Sequence, residues 1–155
     1  MTRTLVAGIG NVFFGDDGFG VEVAARLSRE PLPEGVRVMD AGIRARHLAY
    51  ELLDGGYQTA ILVDAVPRGG TPGTLYLIEP DIDTVPPAPG LLDGHSMTPA
   101  TVLAFLETAG GSPARIRILG CEPESVEEGM GLSPAVGAAV DEALVMLREL
   151  LTPCA

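Results

Sequence analysis

The run Ala60-Ile61-Leu62-Val63 is apolar at every position and stops at Asp64. A half-exposed strand would alternate, so this one must be covered on both faces, as in a parallel sheet with helices above and below. Leu5-Val6-Ala7-Gly8 is a second strand of this kind, and the spacing of Val21, Ala24, Ala25 and Leu27 predicts a helix over 18–29 after a glycine-rich turn. A short strand over 36–39 ends at Asp40. A helix over 44–53 then carries Leu48 and Leu52 on one face before Gly55-Gly56 stops it.

Beyond the central strand, 73–79 has the β-leaning composition Thr-Leu-Tyr-Leu-Ile and follows a turn-rich link too short for a helical crossover. An antiparallel neighbour is expected there. The stretch 80–94, with Pro86, Pro87 and Pro89, reads as an irregular loop that delivers His95. Thr98-Pro99 and Ser133-Pro134 are both cap-plus-proline signatures. The first opens a helix over 98–107; the second opens a last helix with Val136, Val140, Leu144, Leu147 and Leu151 on one face. Between them 115–119 alternates basic and apolar residues, as in a partly exposed strand. Strands alternating with helices, with no repeat and no linker, predict one domain over 1–155. Its class is α/β: a three-layer sandwich around a mostly parallel sheet of about five strands, one of them antiparallel, with helices on both faces.

The 155 residues carry 21 acidic and 10 basic side chains, a formal charge of −11. That balance repels phosphate backbones and anionic lipid, so neither nucleic acid nor a membrane surface is expected as a partner. Trp is absent and aromatics are 5%, which leaves no stacking platform for bases. Cys121 and Cys154 lack metal-ligand spacing and are expected to be reduced and inert. With no secretory signal and no apolar stretch near the ~20 residues of a membrane span, a soluble, cytoplasmic monomer is expected.

Three acidic positions fall just after strand ends, where such folds place their sites: Asp16-Asp17, Asp40 and Asp64. Each could also cap a helix or close a turn. Asp16 is assigned to structure, as an acid that accepts backbone N–H bonds before a helix. His95, in Asp93-Gly94-His95-Ser96, has no apolar neighbours and suits a surface or site histidine, whereas His47, beside Arg44 and Arg46, suits a solvated helix face. Two carboxylates and an imidazole can bind a divalent first-row metal and leave positions open for a substrate group. The glycine-rich turn does not suit a dinucleotide, because Phe13 stands where the third glycine would be and Asp16-Asp17 would face a pyrophosphate. No nucleophile elbow is present, and neither cysteine has a histidine partner in sequence.

Taken together, these residues resemble the hydrogenase maturation endopeptidases. The resemblance rests on Gly8-Ile9-Gly10-Asn11 and Asp16-Asp17-Gly18-Phe19-Gly20, on Leu62-Val63-Asp64-Ala65-Val66 with Gly70-Thr71-Pro72-Gly73-Thr74, and on His95-Ser96-Met97-Thr98-Pro99. Gly120-Cys121-Glu122-Pro123-Glu124-Ser125 and Leu132-Ser133-Pro134 extend it over essentially the whole chain. It implies an endopeptidase that clips the C-terminal extension from a [NiFe]-hydrogenase large-subunit precursor after nickel insertion, with Asp17, Asp64 and His95 as metal ligands and catalytic residues. It also implies that the nickel is carried by the precursor, while the resting enzyme holds a divalent ion weakly if at all. Asp40 is the further candidate for the base. The family often has Glu where Asp17 stands, and a Gly-Thr-x-Gly type loop where this chain has Ala41-Gly42-Ile43-Arg44-Ala45. The alternative reading is a non-catalytic accessory protein that senses nickel in the precursor without cutting it.

Overall fold

The structure is a computed structural model that describes residues 3–79, 102, 106, 113 and 115–152. Its elements are strands β1 (Thr4–Ile9), β2 (Val36–Gly42), β3 (Thr59–Ala65), β4 (Leu75–Ile78) and β5 (Arg115–Cys121). The helices are α1 (Phe19–Leu27), α2 (Ala45–Asp54) and a C-terminal α3 (Pro134–Leu151), with a 3-10 turn at Gly15–Gly18. The sheet order is β2-β1-β3-β5-β4. All neighbours are parallel except β4 and β5.

Side chains alternate across the strands, and both faces are filled. Val6, Ile61 and Val63 point to one face, where Phe19, Val23 and Leu27 of α1 meet Val136, Val140, Leu144, Leu147 and Leu151 of α3. Leu5, Ala7, Ala60 and Leu62 point to the other, against Leu48 and Leu52 of α2 and against Val102 and Leu106. The unbroken apolar runs are thus the signature of two covered faces, and the expected three-layer arrangement is what they produce. Each fully buried Leu or Val contributes on the order of 1.5–3 kcal/mol through burial. The helix expected over 98–107 is represented by Val102 and Leu106, both helical and buried; its remaining residues lie outside the described ones, as do the whole loop at 80–94, His95 and Cys154.

Three details differ from the sequence reading. The antiparallel strand β4 pairs with β5, from Leu75↔Cys121 to Ile78↔Ile118, and takes the edge of the sheet. The place beside β3 goes to β5, whose seven-residue parallel register buries Ile116, Ile118 and Leu119. Strand β5 is therefore interior, and its basic end is covered by Glu79, which accepts hydrogen bonds from Arg115 Nη2 at 2.8 Å and Arg117 Nε at 2.9 Å. Finally, Ser133 precedes Pro134 as expected but makes no capping bond, since its hydroxyl is engaged elsewhere. Among the described residues no helix is long and apolar enough to cross a membrane.

Candidate active site

Chain order places β2 on one side of β1 and β3 on the other. The connections that leave the C-terminal ends of β1 and β2 therefore run to opposite sides, and such a switch point is where open α/β sheets form a ligand-binding crevice. The residues that line it are set there by glycine. A Cβ on Gly8 would lie 2.1 Å from the Gly20 carbonyl oxygen, and one on Gly20 would lie 2.0 Å from that of Val63. Only hydrogen at these positions lets the start of α1 sit directly on the ends of β1 and β3. Gly10 has φ 138°, which other residues rarely adopt. A Cβ there would meet the Asp17 carbonyl oxygen at 1.8 Å and Asp64 Oδ1 at 3.4 Å.

The turn so compressed delivers Asp17 to the end of β3 beside Asp64. The Asn11 N–H donates to Asp17 Oδ2 at 2.9 Å, and Asn11 Oδ1 in turn accepts from the Phe13 N–H at 2.9 Å. Asp64 is buried, and its Oδ1 accepts from the Ala65 N–H at 2.8 Å. Burial raises the Asp17 pKa against the opposing effect of the Asn11 bond. Burial, reinforced by the charge of Asp17, raises Asp64 well above the ordinary carboxylate range despite the Ala65 bond. Among the described residues neither carboxylate has an ion-pair partner. Two such groups either share a proton or gather a cation.

Asp40 lies one strand away, opposite Gly8 in the β1–β2 register, and is exposed. Its strand end is joined to the site turn by the Gly10 N–H, which donates to the Gly42 carbonyl at 3.0 Å, and its own carbonyl accepts from the Arg44 guanidinium. The structure thus brings Asp17 and Asp64 together and sets Asp40 on the adjacent strand. His95 lies outside the described residues, and among those described no three His, Cys, Asp or Glu side chains form a metal-sized cluster. His47 is exposed on α2, as expected.

Asp16 has the structural role expected, though with a different partner. It accepts from the Ser133 N–H at 2.7 Å, the Ser133 hydroxyl at 2.8 Å, the Glu124 N–H at 2.8 Å and the Ser125 N–H at 3.2 Å. The carboxylate therefore clamps the 124–133 loop and the start of α3, not the start of α1. Burial works against its ionisation, but these bonds outweigh burial and hold its pKa below the ordinary value. Glu122 is a second clamp that sequence reasoning missed. Its Oε1 accepts from the Tyr76 hydroxyl at 2.7 Å and from the N–H groups of Arg68 and Gly70, each at 2.9 Å. The only advance signal is an acid placed directly after a strand and before proline. Cys121 is a free, buried thiol pushed up to about 12 by burial and by neighbouring Asp16 and Glu122, so it is no nucleophile.

Two carboxylates without an ion-pair partner among the described residues, set side by side at the ends of β1 and β3, make this the candidate hydrolytic or cation-binding site of an open α/β sheet. Comparison with known proteins makes this specific. Residues 21–149 match the profile of the hydrogenase maturation protease family. The chain is 37% identical over 153 residues to the hydrogenase expression/formation protein HupD of Rhodobacter capsulatus, covering 96% of this chain and 71% of that protein. It is 32% identical to the hydrogenase 2 maturation protease of Escherichia coli, covering 95% and 92% of the two chains. Its fold matches the hydrogenase maturating endopeptidase HybD from E. coli with a TM-score of 0.78 at 27% identity, over 97% of this chain and 92% of that one. The chain belongs to the hydrogenase maturation protease family. Its activity is that of a peptidase, which sets aside the non-catalytic accessory reading. The profile match begins at residue 21, so it includes Asp64 and His95 while the turn that carries Asp17 precedes it.

Proposed function

We propose that the protein removes the C-terminal extension of a [NiFe]-hydrogenase large-subunit precursor and recognises the nickel that the precursor carries. The observation behind this reading is the Asp17–Asp64 pair: both carboxylates are raised by burial, Asp64 further by its neighbour, and neither is neutralised by a described side chain. A cation presented by the substrate would relieve that repulsion. In this reading His95 supplies the third donor, a neutral imidazole suited to nickel. Precursor-held nickel bound to Asp17, Asp64 and His95 fixes the scissile bond at the mouth of the crevice, and placement of this kind is a large part of a peptidase's work. Asp40, exposed on the adjacent strand, is the candidate to take a proton from the attacking water. The same three side chains leave coordination positions open, so the resting enzyme would hold a divalent ion only weakly.

The test offers purified protein the same folded precursor with and without nickel and follows tail release by mass spectrometry. Release from the loaded precursor alone is expected. Equal cutting of both would refute the nickel requirement, and an intact tail on the loaded precursor would refute the processing role.

A further inference from the structure

Eight large apolar side chains are exposed among the described residues, and four of them stand on two loops beside the carboxylate crevice: Phe13, Phe14, Val126 and Met130. The loops are bound together along their backbones. The Gly15 N–H donates to the Gly129 carbonyl at 2.7 Å, the Gly129 N–H to the Phe13 carbonyl at 2.8 Å, and the Asp16 N–H to the Ser125 carbonyl at 2.9 Å. Beneath them the buried Asp16 carboxylate ties both loops to the start of α3. A ridge held this way loses little conformational freedom when something lands on it, which is the condition for a productive contact. It is also continuous with the site, because Asn11 bonds to both Phe13 and Asp17.

The charge around the ridge is of one sign. No Lys or Arg occurs in 4–25 or in 118–147, the segments that build it, while Glu124, Glu127 and Glu128 are exposed on its second loop. Glu127, Glu128 and Met130 also line a groove of about 330 Å³ running toward Ser133. Exposed apolar groups collected in one place, with charged groups at their rim, are the anatomy of a protein contact. An acidic rim selects a basic counterpart.

We propose that this ridge is the surface on which the folded body of the precursor docks, through a patch that is apolar at its centre and basic at its edge. The inference rests on the processing role proposed above. It adds that recognition is divided: the crevice reads the metal and the tail, and the ridge reads the body. Phe13 and Met130, 60% and 72% exposed, are its central contacts.

The experiment immobilises the nickel-loaded large-subunit precursor from the same organism and measures its Kd for wild-type protein, for Phe13→Ser with Met130→Ser, and for Glu127→Lys with Glu128→Lys. Both pairs change exposed side chains, so melting temperatures should stay close to wild type. The first pair is expected to raise Kd about tenfold or more, as loss of central contacts does. It should leave kcat at saturating precursor within about twofold, since these groups bind substrate and transition state alike. The second pair should weaken binding at low salt and flatten its salt dependence. A free tail peptide, which can fill only the crevice, should not displace the precursor. An unchanged Kd in the first pair, full competition by the tail peptide, or no binding by wild type would each overturn the proposal. Tight binding that leaves the tail uncut would refute the processing role, and the Kd of the first pair would still decide the docking surface.

Discussion

Replacing Asp16 by Ala removes one carboxylate and strands four donors: the N–H groups of Glu124, Ser125 and Ser133 and the Ser133 hydroxyl. Hydrogen bonds to a charged group contribute roughly 1.5–3 kcal/mol each, which would overstate the loss if simply summed over four. Glu124 and Ser125 are exposed and can turn to water, whereas Ser133 is partly buried at the start of α3. A net destabilisation of about 3–5 kcal/mol follows, near the cost of breaking a buried charged network. For a chain of this size that lowers Tm by roughly 6–20 °C. The assay is thermal unfolding followed by far-ultraviolet circular dichroism.

The pH dependence tests the cause. Because the folded-state pKa of Asp16 lies below its unfolded value, the stabilisation is complete above the ordinary carboxylate pKa and disappears as pH falls through the lowered one. The gap between wild type and Asp16→Ala should hold steady from neutral pH to about pH 5 and close below about pH 4. A Tm change under about 2 °C at neutral pH, or a gap that widens in acid, would refute the clamp.

Asp64→Asn should raise the Tm of metal-free protein at neutral pH while abolishing tail removal; the gain should shrink as pH falls through the raised folded-state pKa, and calorimetry across pH checks the sign. Gly20→Ala places a Cβ 2.0 Å from the Val63 carbonyl oxygen and 2.5 Å from that of Ile9, so it should cost about 3 kcal/mol or more, read as loss of soluble protein or a depressed urea midpoint. In a Cys154→Ala background the buried Cys121 thiol, pushed up to about 12, should resist a thiol reagent at pH 8 until denaturant is added; labelling of native protein within minutes would contradict its burial.

How far the sequence revealed this molecule depends on whether the determining interaction is local. Strand β3 and the C-terminal helix were readable because burial on two faces, or on one stripe, is written into the order of apolar residues. The tight turn that carries Asp16 and Asp17 was readable because its glycines sit at fixed offsets. The pairing of β4 with β5 was not, since register across a sheet depends on a strand some forty positions later. Ser133-Pro134 marks the start of a helix, and the helix is there, but the Ser133 hydroxyl does not cap it. The competing acceptor, Asp16, lies 117 residues away in sequence, and no local pattern announces it. The same is true of Glu122, whose donors on Arg68, Gly70 and Tyr76 arrive from another strand and loop.

The described residues include three buried carboxylates, Asp16, Asp64 and Glu122, and their surroundings differ in kind. Asp16 accepts four hydrogen bonds and Glu122 three, and both have lowered pKa values. Asp64 accepts one bond from its own neighbour and faces another carboxylate, and its pKa is raised. The chain evidently can saturate a buried acid where the acid serves the fold. At the crevice it does the reverse: Gly10, without a Cβ, lets the Asp17 backbone close in beside Asp64, and the turn brings a second carboxylate there with no further donor to Asp64. In the proposed function, a charge left short of donors in this way weakens the empty protein and gains most from a cation that arrives with its substrate. That is why Asp64→Asn should separate stability from activity, whereas Asp16→Ala should lower both.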